Sequence, residues 1–594
     1  MAFGALVAST ARGESQPIFL EGRTIETSSG VQQAMVRLLK SSAHLPTVQR
    51  PTSRGTTPWV VQFDGAIREK WKTAVEAEGA VIHGYVPADA LLVEASPEIL
   101  ARIASMDSVK WAAEYLPAYK KSVDAQDGWA DDREYVVALF QADDKPRIAR
   151  EFGEMNVFVS REELTADNEW FHVKLSPEQV DEVANWGEVE WIELDRKPQF
   201  WGATVPETAG AAVARDPVAA LRQAFDAGVR IQPINQGCAD AGNYGVAARA
   251  VDRFVWAHPE MLVVAAAGNA AVDLAPADGV VDAGSIGSPA TAKNVLSVGA
   301  AEGRRDVARV WRDSWPEDFA VEPIALDPMA QADGPQGLAA FSGRGPCADG
   351  RIKPDLVAPG TFVVVPRPPD SDDVGWGAAE NDGEIYVGGT GVAAEQTAAA
   401  ARQVRQWLAA ERGIAAPSAA LVKALLILSS RDLAPGQYGS GADQEIPGYR
   451  PNNVQGFGLL QERFPMDGIE PYDEEGLATG QVKEYPLHVP AGGRVGAVLA
   501  YSDSPAALAA GTKLVNDLDL TVQSPGGRIM HADGKAGTDD LNNAEMIEFE
   551  AEKNGIHTIR IEARNVPMGG VQPFALAICH PIAEAGMPAE TEEP

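Results

Sequence analysis

A chain of 594 residues with 45% hydrophobic and 23% charged residues has the composition of an ordinary soluble globular protein, long enough for roughly four domains of about 150 residues each. The formal net charge of −34 argues against sequence-independent binding of DNA or RNA, which needs clustered Lys and Arg, and leaves cations and basic proteins as natural partners. No uncharged apolar run reaches the roughly eighteen residues of a membrane span, and Cys238, Cys347 and Cys579 lie too far apart for a disulfide framework or a zinc site. In chain order, residues 1–58, with Pro46, Pro51 and many Ser and Thr, read as a loosely structured lead-in. Its first residues are mildly apolar but have no basic n-region, so a cytoplasmic location is expected, or secretion if a leader has been removed.

A duplicated unit follows, spanning residues 59–120 and 135–200. Ser96-Pro97-Glu98 and Ser176-Pro177-Glu178 each open a helix with a hydroxyl cap, a proline at the first helical position and an acid in the first turn. Val109-Lys-Trp111 and Val189-Glu-Trp191 close the two units at the same spacing, and Val60–Phe63 and Val136–Phe140 are matching upstream strands. Each unit is expected to be a small α+β module of strand–helix–strand–helix–strand order.

Residues 201–465 alternate helices with apolar strands, the pattern of a parallel sheet covered on both faces. Asp216-Pro217 caps a helix stopping at Gly228. Strands follow at Val229–Asn235, Leu262–Ala267 and Asn294–Ala300, with a helix near 244–257 between the first two. An Ala-rich helix follows Gly391, and Pro417–Leu428 is apolar all round, as expected of a core helix. In residues 466–584 the helical period gives way to short strands between Gly, Asp, Asn and Pro turns, which predicts an antiparallel β-sandwich or jelly roll. Residues 585–594 read as an acidic tail. Within the sandwich Asp517, Asp519, Asp539, Asp540 and Asn543 offer oxygen ligands of the kind Ca²⁺ takes, although Asp and Asn are also ordinary turn residues.

Several motifs in the parallel-sheet region resemble those of the subtilisin-like serine peptidases, in the branch that carries a C-terminal β-sandwich. Ala265-Ala-Ala-Gly-Asn269 is similar to the strand end that bears the family's oxyanion-hole asparagine, here Asn269. Gly284–Ala300, Phe341–Pro346, Arg351–Gly360 and Asn452–Gly458 resemble further family segments in the family's order. The resemblance implies that the duplicated units are propeptide or inhibitor modules, with plain α+β spacers as the alternative. It also implies calcium in the sandwich turns.

The departures fall at the chemistry. Tyr386–Glu395 resembles the serine-bearing motif, but Gly391 stands where the family has its nucleophile. The family's Asp-Thr/Ser-Gly and His-Gly-Thr-His motifs are missing, and residues 201–215 replace a segment that the family needs at well over a hundred residues. Between His172 and His488 the only histidine is His258, at a helix end entering the strand that leads to Asn269.

The expected function is therefore a catalytically inactive, subtilisin-like pseudoprotease with no required cofactor. It would act through a protein partner: a basic protein, a peptide in a remnant cleft, an active subtilisin-like peptidase or other subunits of an assembly. The shortened sheet should leave an apolar flank for a neighbour to cover, which predicts an oligomer. The enzyme alternative is a serine-type hydrolase with a non-standard site using Ser285, Ser288 or Ser342.

Overall fold

The Ser96 hydroxyl accepts the Ile99 N–H, and Ser176 forms a full capping box with Gln179, so both expected caps are made. These contacts come from a computed structural model describing residues 7–9, 17–25, 27, 49–126, 131–201, 216–333, 336–367, 375–381, 383–437, 441, 444–461 and 468–580. The acidic tail and residues 202–215 lie outside the described residues.

Part of the lead-in is ordered, contrary to expectation. Strand β1 (Val7–Ser9) joins the first repeat's sheet, and β2 (Ile18–Leu20) and β3 (Arg23–Ile25) form a hairpin that buries Ile18 and Leu20. The first repeat runs β4 (Thr57–Phe63), α1 (Glu69–Ala77), β5 (Val81–Val86), β6 (Ala90–Ala95), α2 (Pro97–Ile103), β7 (Val109–Glu114). Its sheet order is β1-β7-β4-β6-β5. The second runs β8 (Arg133–Leu139), α3 (Lys145–Glu154), α4 (Arg161–Thr165), β9 (Trp170–Leu175), α5 (Pro177–Ala184), β10 (Val189–Leu194), in order β10-β8-β9.

The repeats share the arrangement β7-β4-β6 against β10-β8-β9. Trp111 and Trp191 are buried at matching registers, opposite Gln62 and Ala138. The first repeat has one strand more than expected. β5 pairs with β6 across a turn where Ala88 and Asp89 adopt positive φ, whereas the second repeat places the short helix α4 at that point in the chain.

After β11 (Gln199–Phe200) and α6 (Pro217–Asp226) comes the parallel sheet. It is built from β12 (Ile231–Ile234), β14 (Leu262–Ala266), β15 (Leu296–Ala301) and β16 (Leu356–Pro359), adjacent in chain order. The short β13 (Gln236–Gly237) leaves β12, and α7 (Val246–Ala257) crosses to β14. β17 (Val363–Pro366), β18 (Gly377–Ala378) and β19 (Glu384–Val387) form a small antiparallel sheet before the long helix α8 (Thr390–Glu411).

Helix α9 (Ala419–Leu428) is apolar all round because it has sheets on two sides. One hydrophobic cluster joins Leu262 and Val264 of β14, Leu421 and Leu425 of the helix, and Val498 and Ala577 of the sandwich. Each such leucine contributes about 1.5–3 kcal/mol through burial. The sandwich sheets are β20-β27-β22-β25 and β21-β26-β23-β24 among the described residues. Their strands are β20 (Ile469–Leu477), β21 (Val482–Val489), β22 (Arg494–Ala500), β23 (Asp517–Gln523), β24 (Ile529–His531), β25 (Ala544–Glu550), β26 (Gly555–Asn565) and β27 (Gln572–Cys579). A fully buried ion pair, Lys293 Nζ to Asp503 Oδ2 at 2.5 Å, ties the sandwich to the parallel-sheet unit.

Among the described residues the parallel sheet ends at β12. Its outer position holds Pro233, which has no N–H to offer, and the Pro233 carbonyl accepts the Gln232 side-chain amide at 3.0 Å. Proline on an edge strand blunts pairing with a neighbour. The edge expected to invite a subunit is thus closed locally by two of its own residues.

Candidate functional site: a cleft filled by Trp201

Two parallel-sheet elements converge at the candidate site. β14 ends at Ala266 and delivers Asn269, and the Gly388-Gly389 turn delivers Thr390 and Gly391 at the head of α8. Asn269 Oδ1 accepts both the Thr390 N–H and the Thr390 hydroxyl at 2.9 Å, while the Thr390 hydroxyl oxygen accepts the Gly268 N–H at 3.1 Å. This lattice fixes the Asn269 amide so that its Nδ2 points at a single carbonyl oxygen, that of Trp201, at 3.4 Å. The Gly391 N–H donates to the same oxygen at 2.7 Å. Two donors converging on one carbonyl oxygen have the form of an oxyanion hole, and the protein's own backbone occupies it.

The segment leading into that oxygen lies in the cleft as an extended strand. β11 pairs antiparallel with β13, Gln199 opposite Gly237 and Phe200 opposite Gln236, and the Trp201 N–H donates to the Asn235 carbonyl at 2.8 Å. The Trp201 ring is 1% exposed. A Cβ on Gly237 would lie 2.5 Å from it, and one on Gly287 2.6 Å, so these glycines are the walls that admit the indole. A peptide from outside would first have to displace residues 199–201 from this place. Trp201 was not singled out by sequence reasoning, because it lies in a linker without periodic pattern.

Gly391 presents no side-chain atom at the place the motif assigns to a nucleophile. His258 stands apart from the site. It caps the C-terminus of α7, its Nδ1 is 2.9 Å from the Phe254 carbonyl, and its ring packs against Phe225 and Phe254. The alternative serines are engaged or idle. The Ser342 hydroxyl oxygen accepts the Ala300 N–H, that of Ser285 accepts the Arg344 N–H, and the Ser288 hydroxyl has no hydrogen-bond partner among the described residues. A serine nucleophile needs a base within hydrogen-bond reach, and among the described residues none of the three is hydrogen-bonded to a histidine or carboxylate.

The sandwich acids gather only in part. Asp517 and Asp519 share β23; one Asp517 oxygen meets no donor among the described residues, Asp519 Oδ2 lies 3.5 Å from Arg564 Nε, and Asp533 and Glu545 each carry one oxygen without a donor there. Asp539 is spent on Lys535 and Asn542, Asp540 is exposed, and the Asn543 amide donates to the Lys293 and Tyr501 carbonyls. Among the described residues no three His, Cys, Asp or Glu side chains are arranged to hold a metal ion. Asp533, in a turn at φ 57°, gave no sequence signal.

These acids carry a pH dependence instead. Burial, then the neighbouring Asp519, pushes Asp517 up to about 8, and burial pushes Asp519 up to about 6. Both folded-state values exceed the unfolded ones, so the folded protein binds more protons between about pH 4 and 8 and loses stability as pH rises through that window. The melting midpoint should be lower at pH 8 than at pH 5.5. Asp517→Asn should raise it at pH 8 by the equivalent of about 1–3 kcal/mol, with little effect at pH 5. A midpoint independent of pH over this range would remove the claim.

Comparison with known proteins agrees with the geometry. The Subtilase family profile matches residues 204–458, and a domain of unknown function, DUF8729, matches residues 19–116. The Dictyostelium discoideum serine protease/ABC transporter B family protein tagB is 25% identical over 456 residues, covering 58% of this chain and 23% of that protein. Its tagD counterpart is 23% identical over 462 residues, covering 58% and 25%. The chain thus spans about a quarter of the length of the curated relatives it matches. The solved Staphylococcus aureus epidermin leader peptide processing serine protease overlaps 70% of this chain and 99% of its own at 13% identity and a TM-score of 0.23, too low to carry weight. Residues 204–458 thus carry a subtilisin-like domain, by their match to the Subtilase family profile.

Proposed function

We propose that this protein is a subtilisin-like pseudoprotease: a catalytically inactive member that serves as a protein-binding or scaffold subunit. The observation that supports this most is at Gly391, which lacks a nucleophile while its N–H is spent on the Trp201 carbonyl. The isolation of His258 adds to it. The partner is a protein, either a basic one, another subunit of an assembly or an active subtilisin-like peptidase met through the two repeats. Because Trp201 fills the cleft, the reading favours a contact surface elsewhere on the molecule. No helix among the described residues is long and apolar enough to cross a membrane.

The purified protein should cleave neither peptide nor ester substrates, and fluorophosphonate probes should leave it unlabelled. Gly391→Ser alone should stay inactive, since a serine without its base is a weak nucleophile and triad members act as a unit. Stoichiometric labelling of any serine in the wild-type protein would establish the hydrolase reading in place of this one.

A further inference from the structure

Where the second repeat meets the parallel-sheet unit there is a cavity of about 80 Å³, room for two or three waters or a group of guanidinium size. Glu193, from the end of β10, and Asp240, from the loop after β13, are among its lining residues. Glu193 accepts the Val246 N–H at 3.0 Å and the Trp191 indole N–H at 2.9 Å, and Asp240 accepts the Ser288 N–H at 3.0 Å. Neither carboxylate meets a cation among the described residues. The guanidinium in the wall, Arg196, is turned to Asp124 at 2.7 Å. Ser288 also lines the cavity, is 5% exposed, and has a hydroxyl with no partner among the described residues.

We propose that this cavity is a binding site for a small organic cation, a guanidinium or primary ammonium group held by Glu193, Asp240 and the Ser288 hydroxyl. Half-buried carboxylates are held at a cost unless a cation accompanies them, and an unpartnered buried hydroxyl is a further acceptor without a donor. Trp170, Trp191 and Tyr244 also line the cavity, and aromatic walls suit an organic cation better than a hydrated metal. A metal ion is further disfavoured because no three ligating side chains converge among the described residues. Burial already pushes Glu193 up to about 7 and Asp240 well above the usual carboxylate range, the state of acids awaiting a positive partner. The site shares no residue with the Gly391 cleft and stands whether or not the protein is catalytically inert.

Calorimetric titration of the full chain at pH 8 with methylguanidinium tests the site. Neutral N-methylurea is the isosteric control, and N-acetyl-arginine amide represents an arginine side chain of a protein. Methylguanidinium should bind and N-methylurea should not. Glu193→Gln with Asp240→Asn should weaken binding at least tenfold. Each amide keeps one acceptor oxygen, enough for the single donor to Asp240 but not for both donors to Glu193, so an unchanged circular dichroism spectrum is needed to confirm that this variant folds. Binding of N-acetyl-arginine amide as well would identify a protein side chain as the occupant, and its failure a free small cation. Equal binding of N-methylurea, no binding of methylguanidinium at millimolar concentration, or unchanged affinity in the folded double variant would each overturn the proposal.

Discussion

Asp355→Asn should cost at least about 3–5 kcal/mol of folding free energy, enough to leave little native protein at 37 °C. Asp355 is 4% exposed and lies between two buried ammonium groups, Lys423 Nζ at 2.8 Å from Oδ1 and Lys353 Nζ at 2.8 Å from Oδ2. Its Oδ2 also accepts the Ser297 N–H and hydroxyl, each at 2.7 Å, tying β15 to the start of β16. Burial alone would raise this carboxyl, yet the two lysines hold it well below its usual range. An amide there leaves two positive charges inside the protein with one neutral acceptor. The discriminating measurement is rescue. Lys353→Met and Lys423→Met combined with Asp355→Leu should recover most of the loss, because replacing a whole buried ionic cluster with apolar groups is often nearly neutral. If the single variant denatures in urea within 1 kcal/mol of wild type, the cluster is not the keystone described.

Trp201→Ala should destabilise the protein by about 3–5 kcal/mol, the range for removing a large aromatic from a packed core. The loss has two parts. The indole vacates a slot walled by Gly237 and Gly287, and the segment that keeps Gln199 and Phe200 paired with β13 loses its anchor. Trp201→Phe should retain more than half of the difference, since a smaller ring still enters the slot. Urea denaturation of the three proteins decides the matter. A Trp201→Ala cost below 1 kcal/mol would mean that the segment is only loosely seated.

Much of the architecture was legible because it rests on local rules. Ser96 and Ser176 announce their helices through cap chemistry, and the Trp111 and Trp191 landmarks put the repeats in register. The apolar run of α9 correctly signals burial on all sides. The candidate site was legible by what it lacks, since Gly391 is visible in one line of sequence. What fills the cleft was not. Trp201 is one aromatic in a linker, and its role arises from contacts with residues 235–237, 268–269, 287 and 389–391, brought together only by the folded sheet. The extra strand β5 was missed because His83 and Gly84 break an otherwise readable apolar run. The partners of the sandwich acids were not legible either: Asp539 is engaged by Lys535 and Asn542 of its own loop, and the Asn543 amide reaches across to the Lys293 and Tyr501 carbonyls.

The occupant of the cleft is part of the same covalent chain, only a few residues beyond the end of β10. A tether of that length confines residues 199–201 near β13 at an effective concentration of order millimolar or above. Dilution cannot release them, and a free peptide at micromolar concentration competes at a disadvantage of about a thousandfold even if its intrinsic affinity is equal. The segment is joined on its other side as well, through residues 202–215 to Asp216, so a single cut leaves it tethered, and only cleavage on both sides would turn a permanent intramolecular complex into one that obeys ordinary mass action.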